Sequence, residues 1–396
     1  MMINPPSGVS RNPDGPAEAD GRTPVERALL AIVADFLREL HPLRPGGRMP
    51  GLDSAIEKDL GIDSLARTEL AMRLERRLGA TVPLAVVGEA ITIADLAAAL
   101  SPAPSPDPGR GVRVPPRLYA PPGPRGAALH SGDDREAQPR APAARLARSP
   151  AAIAYAAWWW TVLGTVACLG WLAIMVLRGR SSRWRVARTL ARLALAAIGT
   201  RPTVVGAQHI PAGGAVLALN HASYLDTLLL SAILPGEPVF TSKREFAGWR
   251  LSGAPLRRLG VHFVHRYDAV AAMADVSALA DRARHGELIV FFPEGGLAPR
   301  RGLAGFHLGA FKVAADAGVP VVPGTIRGAR AMLQVDEWFP RRSPLRVHFR
   351  EPIAPPAAAD LASIVTLRDA ARAAILTDCE EPDVVSTLPL KRPGTA

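Results

Sequence analysis

An uncharged run of 27 residues, 151–177, constrains the folding of this 396-residue chain more than any other feature. It holds four of the seven tryptophans, and a helix of this length can cross the apolar core of a bilayer. Tryptophan also favours the boundary between lipid and water. We therefore expect residues 151–177 to contact lipid.

The formal charge of +11 is compatible with nucleic acid, an anionic membrane surface or a phosphorylated ligand. Residues 182–198 mix arginine with leucine and alanine, a pattern typical of a basic amphipathic helix on an anionic membrane. We assign much of the charge to that helix. We expect no nucleic-acid partner, because the chain has no nucleic-acid-binding motif. The two cysteines, Cys168 and Cys379, predict a reducing compartment without a disulfide framework.

Composition divides the rest of the chain into folded and unfolded segments. Apolar residues recur at helical spacing in residues 23–100, with helices also expected at 64–78 and 92–100, so we predict a small all-α four-helix bundle. Residues 101–150 hold 12 of the 38 prolines and predict a flexible linker spanning on the order of 40 Å. We assign residues 1–22 and 379–396 to disordered tails and 151–199 to a membrane-associated helical segment.

Short β-branched runs alternate with helical patterns from about residue 203 onward. The runs are AVLALN, PVFTS, VHFVH, LIVFFPEG, VPVVPGTI and LRVHF, and AVAAMADVSALADRAR is one of the helical segments. This alternation predicts an α/β domain with a central mixed sheet over residues 200–378.

The motif DLGIDSL, residues 59–65, places an exposed Ser64 where a loop ends and a helix begins. Asp and Ser are favoured helix N-caps, so the motif alone also fits an ordinary cap. Together with the preceding helix and the later ITIADLAAAL segment, it makes residues 23–100 resemble an acyl carrier protein. The resemblance implies covalent 4′-phosphopantetheine at Ser64, with a phosphopantetheinyl transferase and an acyl-loading enzyme or synthase as partners.

A candidate base follows the AVLALN strand. His221 stands at the strand exit and Asp226 five positions later, where it can hold one imidazole nitrogen and leave the other to take a proton. An alcohol needs such a base to attack a thioester, because it is a weak nucleophile while it keeps its proton. The same spacing also fits a structural His–Asp pair at a helix start.

Four ordered blocks resemble the glycerolipid acyltransferase family, which includes the glycerol-3-phosphate and lysophosphatidate acyltransferases. The blocks are NHASYLD, KREFAGWRLSGAPLRRLGVHFVHR, FFPEGG and VPGTIRG, within residues 203–355. The resemblance implies that His221 is the catalytic base and that Asp226 orients it. The residues implied or proposed to contact the acceptor are Asn220, Lys243, Arg266, Glu294, Gly295 and Arg327. Of these, Arg266 and Arg327 either clamp a phosphate or are solvated strand-end charges.

One departure from the family concerns the acceptor. Phosphate-accepting relatives continue FPEG with a small hydroxyl residue and an arginine, whereas this chain has Gly296 and Leu297. Either Arg300 or Arg301 substitutes for the missing cation, or the acceptor is not a glycerol phosphate. No metal site is evident.

Carrier loading is cytosolic, so both domains should lie on the cytoplasmic face of the membrane, which we expect to be a bacterial inner membrane. Because a single crossing would separate them, we predict that residues 151–177 and 182–199 form a re-entrant or in-plane helical pair. Arginines on both sides of the apolar run agree with the positive-inside rule.

The sequence therefore predicts an acyltransferase that moves an acyl group from a thioester donor to a hydroxyl acceptor in lipid synthesis. The donor is the chain's own carrier, a separate acyl carrier or acyl-coenzyme A, and the acceptor is a lysophospholipid or another lipid alcohol. Two alternatives stay open. One is a membrane-anchored carrier platform that serves external synthases without catalysis, and the other is a thioester hydrolase with water as acceptor.

Overall fold

The structure is a computed structural model that describes residues 22–41, 50–57, 59–79, 81–100, 149–249, 251–265, 268–297, 301–335 and 337–384. A helical N-terminal region precedes two long helices and an α/β domain. Residues 1–21, 101–148 and 385–396 lie outside the described residues. These ranges contain most of the predicted linker, most of the predicted N-terminal tail and the last 12 residues of the predicted C-terminal tail.

The N-terminal region contains four described helices, which are α1 Pro24–Leu40, α2 Ser64–Leu78, α3 Leu84–Glu89 and α4 Ile93–Leu100. Thr23 and Glu26 form a capping box that begins α1, because each side chain accepts a hydrogen bond from the other's backbone N–H. Asp63 begins α2 by accepting from the N–H of Ala66 at 2.8 Å. Helices occur at all three predicted positions, whereas the six residues of α3 are too few for a periodic signal.

Arg67 of α2 holds α3 in place from inside this region. Its Nη1 atom donates to the carbonyl oxygens of Val87, Gly88 and Ala90 at 2.9, 2.9 and 2.7 Å. These carbonyls lie at the end of α3, where a helix leaves its oxygens without internal partners. Burial lowers the pKa of Arg67 because it removes water from the guanidinium. The three carbonyl oxygens replace that water as hydrogen-bond acceptors.

Two long helices, α5 Pro150–Val176 and α6 Arg180–Ala197, pack against each other. Within the described ranges, α5 is the one helix long and apolar enough to cross a membrane, judged by length and composition. Its exposed large apolar side chains are Ile153, Trp158, Trp160, Leu169, Trp171, Leu172 and Val176. α6 also packs on α7, Leu225–Ile233, and so joins α5 to the α/β domain.

Two arginines of α6 point at protein rather than at an outer surface. Arg188 donates to the carbonyls of Leu234 and Gly236, and Arg192 donates to that of Ala232, all at the C-terminal end of α7. A helix C-terminus attracts cations because its last carbonyls are unpaired and carry partial negative charge. The prediction that this helix directs its charge at an anionic membrane is therefore wrong for these side chains.

Seven strands form one sheet in the α/β domain. They are β1 Thr203–Val205, β2 Ala215–Leu219, β3 Val239–Lys243, β4 His262–Val264, β5 Leu288–Phe291, β6 Val321–Arg327 and β7 Arg346–Phe349. The order is β1-β7-β6-β2-β5-β3-β4, with every pair parallel except the antiparallel pair β6 and β7. The predicted mixed central sheet is confirmed. The exposed edge strand β1 is an addition, because its three residues carry no alternating pattern.

Helices cover both faces of this sheet. The remaining ones are α8 Gly253–Leu259, α9 Ala269–Arg284, α10 Gly309–Ala317, α11 Ala329–Met332 and α12 Leu361–Leu376. Val216 and Ala218 of β2 share a core with α9, α10 and α12, whereas Ala215 and Leu217 share a second core with α6 and α7. The N-terminal region joins the first core, because α2 and α3 pack against α9.

Residues 379–384 pack on the α/β domain, although the sequence analysis assigned them to a disordered tail. The N–H of Leu303 donates to the carbonyl of Pro382 at 2.8 Å, and Arg372 pairs with Asp383 at 2.6 Å. Cys379 is buried. These partners come from distant parts of the chain, so a local pattern does not reveal them.

Replacing Arg67 by Ala should lower the free energy of unfolding of the N-terminal helices by about 3 kcal/mol or more, because three carbonyl groups lose their hydrogen-bond donor. Hydrogen exchange of α2 and α3 amides in the full chain measures the effect. Arg76→Ala is the matched control on the same helix, since its side chain is 70% exposed and its ion pair is worth less than about 1 kcal/mol. Equal exchange in both variants would contradict the structural role of Arg67.

Candidate active site

The loop between β2 and α7 brings His221 and Asp226 together at the C-terminal end of a central strand. His221 Nδ1 lies 2.9 Å from Asp226 Oδ2. The His221 side chain is 16% exposed and that of Asp226 is fully buried. A carboxylate can only accept, so it selects the neutral tautomer with the proton on Nδ1 and leaves the lone pair on Nε2.

Asp226 Oδ2 also holds the backbone of the turn. It accepts from the N–H groups of Ala222 at 2.7 Å and Ser223 at 2.9 Å, in addition to the ring of His221. The buried hydroxyl of Ser223 donates to the carbonyl of Leu333 at 2.9 Å. The position of His221 and the shape of the turn therefore depend on one carboxylate oxygen, and Ser223 braces the same turn.

Phe292 packs on the imidazole face, with ring centroids 4.0 Å apart and an angle of 14° between the planes. It follows β5, which is the neighbour of β2 in the sheet, so the loops after these two strands lie side by side. This packing restricts rotation of the imidazole and shields one face from water. The FFPEGG block includes Phe292, but spacing in the sequence gave no reason to select it.

Glu294, in the loop after β5, braces the loop that carries His221. Its Oε1 and Oε2 atoms accept from the N–H groups of His221 at 2.8 Å and Ala304 at 3.0 Å. Burial raises the pKa of Glu294, and these two donors and the electrostatic interactions with His221 and Arg330 lower it in part. The family resemblance implied acceptor binding, whereas the contacts in the structure show this carboxylate holding the backbone of His221.

Gly295 and Lys243 lie near this loop. Gly295 has a φ of 78°, a left-handed conformation that favours glycine. A Cβ atom added at Gly296 would lie 3.9 Å from Nζ of the exposed Lys243, at the end of β3. The second and third family blocks are therefore neighbours in space.

Two of the proposed acceptor contacts have structural partners instead. The buried Asn220 side chain accepts from the N–H of Ile326 at 2.7 Å and donates to its carbonyl at 3.0 Å, which ties β2 to β6. Arg327 bonds to Asp378 and to Glu380, at 2.8 Å in the second case. The acceptor contacts of Asn220 and Arg327 remain predictions, and in the structure the polar atoms of both side chains bond within the protein.

Arg266 and Arg300 lie outside the described residues, and Arg301 is exposed. Arg330 of α11 is a cation that the sequence analysis missed. It pairs with Glu381 at 2.9 Å and acts electrostatically on Glu294. Its position in the VPGTIRGAR segment was a weak signal, because the segment contains two arginines and the sequence analysis selected Arg327.

Ser64 is the first residue of α2 and is half-buried, not exposed as predicted, because the α/β domain covers the start of this helix. It lines a cleft with a volume of about 160 Å³, together with Phe292 and Gly295. A hydroxyl at a helix start that opens into a cleft fits covalent attachment of a long, flexible group, because the helix stays folded while the group extends into the space.

Two family models match separate parts of the chain. The model for a phosphopantetheine attachment site matches residues 27–100, and the acyltransferase model matches residues 201–327. The first match indicates 4′-phosphopantetheine bound covalently to a serine, and the second covers the loops of His221 and Glu294.

Curated relatives match the acyltransferase part. The 1-acyl-sn-glycerol-3-phosphate acyltransferase of Neisseria gonorrhoeae is 30% identical over 146 residues, which are 37% of this chain and 56% of that protein. The lyso-ornithine lipid O-acyltransferase of Rhodobacter capsulatus is 39% identical over 123 residues, which are 30% and 42% of the two chains. The human 1-acyl-sn-glycerol-3-phosphate acyltransferase alpha is 33% identical over 165 residues, 40% of this chain and 58% of the relative. The chain thus spans about half the length of the curated relatives it matches.

Among solved structures, the crystal structure of PlsC, the 1-acyl-sn-glycerophosphate acyltransferase of Thermotoga maritima, matches with a TM-score of 0.48 and 16% identity. The match covers 57% of this chain and 95% of that one. The N-terminal part of the chain thus matches a phosphopantetheine attachment site and the C-terminal part matches an acyltransferase, and the curated relatives similar to the second part include 1-acyl-sn-glycerol-3-phosphate acyltransferases.

Proposed function

We propose that this chain transfers an acyl group from a thioester at its own Ser64 to a hydroxyl group of a lipid. One observation carries the proposal, namely that Phe292 packs on His221 and also lines the cleft that Ser64 lines. Ser64 therefore lines a cleft whose wall includes the aromatic ring that packs on the candidate base. Phosphopantetheine on Ser64 supplies a terminal thiol that holds the acyl group as a thioester.

In this proposal His221 is the general base. Its Nε2 atom takes the proton of the acceptor hydroxyl as that oxygen attacks the thioester carbonyl carbon. Asp226 holds Nδ1–H and stabilises the imidazolium that forms. As the new C–O bond forms, the C–S bond breaks and His221 returns the proton to the departing sulfur. The products are an ester and a free thiol.

The acceptor in this proposal is a lysolipid, in keeping with the relatives named for lysophosphatidate and lyso-ornithine lipid acylation. Lys243 lies at the exposed end of β3 next to Gly296 and is our candidate for a headgroup contact. A headgroup phosphate or carboxylate would suit this lysine.

His221→Ala should abolish ester formation with both 1-acylglycerol-3-phosphate and lyso-ornithine lipid. The reason is that no other group in the loop of His221 can take the proton of the acceptor hydroxyl. Asp226→Asn should lower the rate by about 10²-fold to 10⁴-fold, since Asn replaces the acceptor that selects the tautomer of His221. The measurement is chromatography of labelled ester and free acid with 1-acylglycerol-3-phosphate and lyso-ornithine lipid. His285→Ala, an exposed histidine of another element, is the control.

Ester formation that persists in His221→Ala would overturn the assignment of the base. If the wild-type chain releases mainly free acid, the thioester hydrolase is favoured. A chain that accepts acyl groups at Ser64 but forms no ester with any hydroxyl acceptor would favour the carrier platform.

Ser64→Ala should remove the donor attachment. Intact mass spectrometry after incubation with a phosphopantetheinyl transferase and acyl-coenzyme A should show an acyl-phosphopantetheine mass gain for wild type and none for the variant. A gain that persists in Ser64→Ala would place the attachment on another residue. Absence of a gain in wild type, with an active transferase control, would contradict the carrier role under these conditions.

We place the chain on the cytoplasmic face of the cell membrane, with α5 in contact with lipid. The exposed face of α5 continues toward the site, because Trp160 Nε1 donates to the carbonyl of Trp338 at 3.0 Å, and Trp338 stacks on Tyr224 with centroids 6.0 Å apart. Tyr224 is three residues from His221, so a lipid acceptor can approach the base from the bilayer. The packing of α2 on α9 supports an in-plane or re-entrant α5, because both domains then share one side.

Leu172→Glu should weaken binding to vesicles of anionic phospholipid. Leu172 is 55% exposed on α5, and placing a carboxylate in the apolar part of a bilayer is unfavourable. Vesicle flotation measures the bound fraction. Val270→Glu introduces the same charge at a 63% exposed position of α9 and is the matched control. Equal losses in both variants would contradict the assignment of α5 as the lipid-facing element.

A further inference from the structure

We propose that α9 is the docking surface for the chain's own carrier region, and that the cleft between α2 and α9 is the path of the arm attached to Ser64. This inference rests on the proposed function. We call this space the donor cleft and define it by Ser64, Val264, Ala272, Val276, Phe292 and Gly295, all of which line it.

Asp63 makes the most specific contact between the two domains. Its Oδ1 atom caps α2 through the N–H of Ala66, and its Oδ2 atom accepts from the N–H of Leu308 in the α/β domain, both at 2.8 Å. His307 Nδ1 lies 3.5 Å from the same Oδ2 atom. The residue next to the attachment serine therefore bonds to the partner domain, which sets where Ser64 points.

The carboxylate of Asp63 is nine-tenths buried at this contact. Burial opposes its ionisation, but hydrogen bonding and charge from His307 and the N–H groups of Ala66 and Leu308 hold the pKa of Asp63 below its usual value. A buried carboxylate requires such partners, because water no longer solvates it. Two of its partners, His307 and the N–H of Leu308, belong to the α/β domain and are present only when the domains are in contact.

Arg368 of α12 makes a second contact at another part of the interface. Its Nη2 atom donates to the carbonyl of Leu40, the last residue of α1, at 2.8 Å. Arg368 is 6% exposed, so this bond also lies within the contact between the domains. Two separated polar contacts define an orientation as well as a position, which a single contact would not.

Apolar packing fills the space between these contacts. Leu279, Ala280 and Ala283 of α9 are buried in one continuous core with side chains of the N-terminal helices. Phe292 lines the donor cleft, and its ring packs on His221. An arm that starts at Ser64 and follows the cleft would therefore reach the residue that packs on the base.

Docking has a consequence for loading. Ser64 is half-buried in the docked arrangement, so a phosphopantetheinyl transferase must reach it after the carrier region has moved away from α9. The carrier region is covalently linked to its own α/β domain through about 50 residues, and intramolecular linkage over such a length gives an effective concentration that reaches the millimolar range. The chain's own carrier should therefore outcompete carriers of neighbouring molecules.

Dilution of the loaded wild-type chain tests delivery within one molecule. The chain is acylated at Ser64, freed of acyl-coenzyme A and added at varied concentration to a fixed excess of lysolipid in mixed micelles. The rate constant for ester formation should stay constant over a hundredfold dilution on the order of micromolar chain, because tethered docking does not depend on concentration. A rate constant that falls in proportion to dilution would overturn the inference.

The same assay with acyl-coenzyme A as a soluble donor separates this inference from the proposed function. Ester formed from acyl-coenzyme A, with concentration-dependent transfer from Ser64, would overturn docking within one chain and leave the acyltransferase assignment in place. Absence of ester from both donors would overturn the proposed function and this inference with it.

His307→Asp tests the docked geometry without an activity readout. The new carboxylate faces the buried Asp63, so the docked fraction should fall. Ser64 should then be modified about tenfold faster by a phosphopantetheinyl transferase, and amides of α9 should exchange faster with deuterium. His307→Asn retains a hydrogen-bonding side chain and adds no negative charge, so it should change both rates less than His307→Asp. Equal modification and exchange rates in wild type and both variants would overturn the docking surface.

Discussion

One oxygen of Asp226 connects the backbone of the turn after β2 to the ring of His221. Because this turn also leads into α7, the same contact relates the buried central strand, the candidate base and the helix that follows. Phe292 and Glu294 restrain the ring and the backbone of His221 from the loop after β5. The arrangement of the site therefore depends on two neighbouring parallel strands that end at the same edge of the sheet.

The two faces of the sheet have different surroundings, and the proposed reaction uses both. One core contains α9, α10, α12 and the N-terminal helices, and the donor cleft opens on that side. The other contains α6, α7 and the buried side of α5, whose exposed side is apolar. His221 lies at the edge between the two layers. In the proposed reaction, the arm attached to Ser64 and a lipid acceptor would therefore approach His221 from different sides.

Elements with a long periodic signal could be predicted from the sequence, and short or polar features could not. α9 occurs where its helical pattern predicts it, and the six β-branched runs contain strands, because a strand buried on both faces forms a continuous apolar run and a half-buried helix repeats every third to fourth residue. Asn220, Glu294 and Arg327 were candidates for substrate contact, yet their partners are Ile326, Ala304 and Asp378. Local spacing says nothing about such partners, which lie many residues away.

The sequence by itself predicted the two domain types and a candidate attachment serine within DSL, and it contains the His–Asp spacing and the apolar segment before the sheet. Each of these is local, since a motif or a period fits within a few turns of chain. The tertiary structure alone decided that the arginines of α6 cap α7, that Asp63 reaches Leu308 and that Ser64 and Phe292 line one cleft. These contacts join residues far apart in the chain, and their geometry exists only after the helices have packed on the sheet.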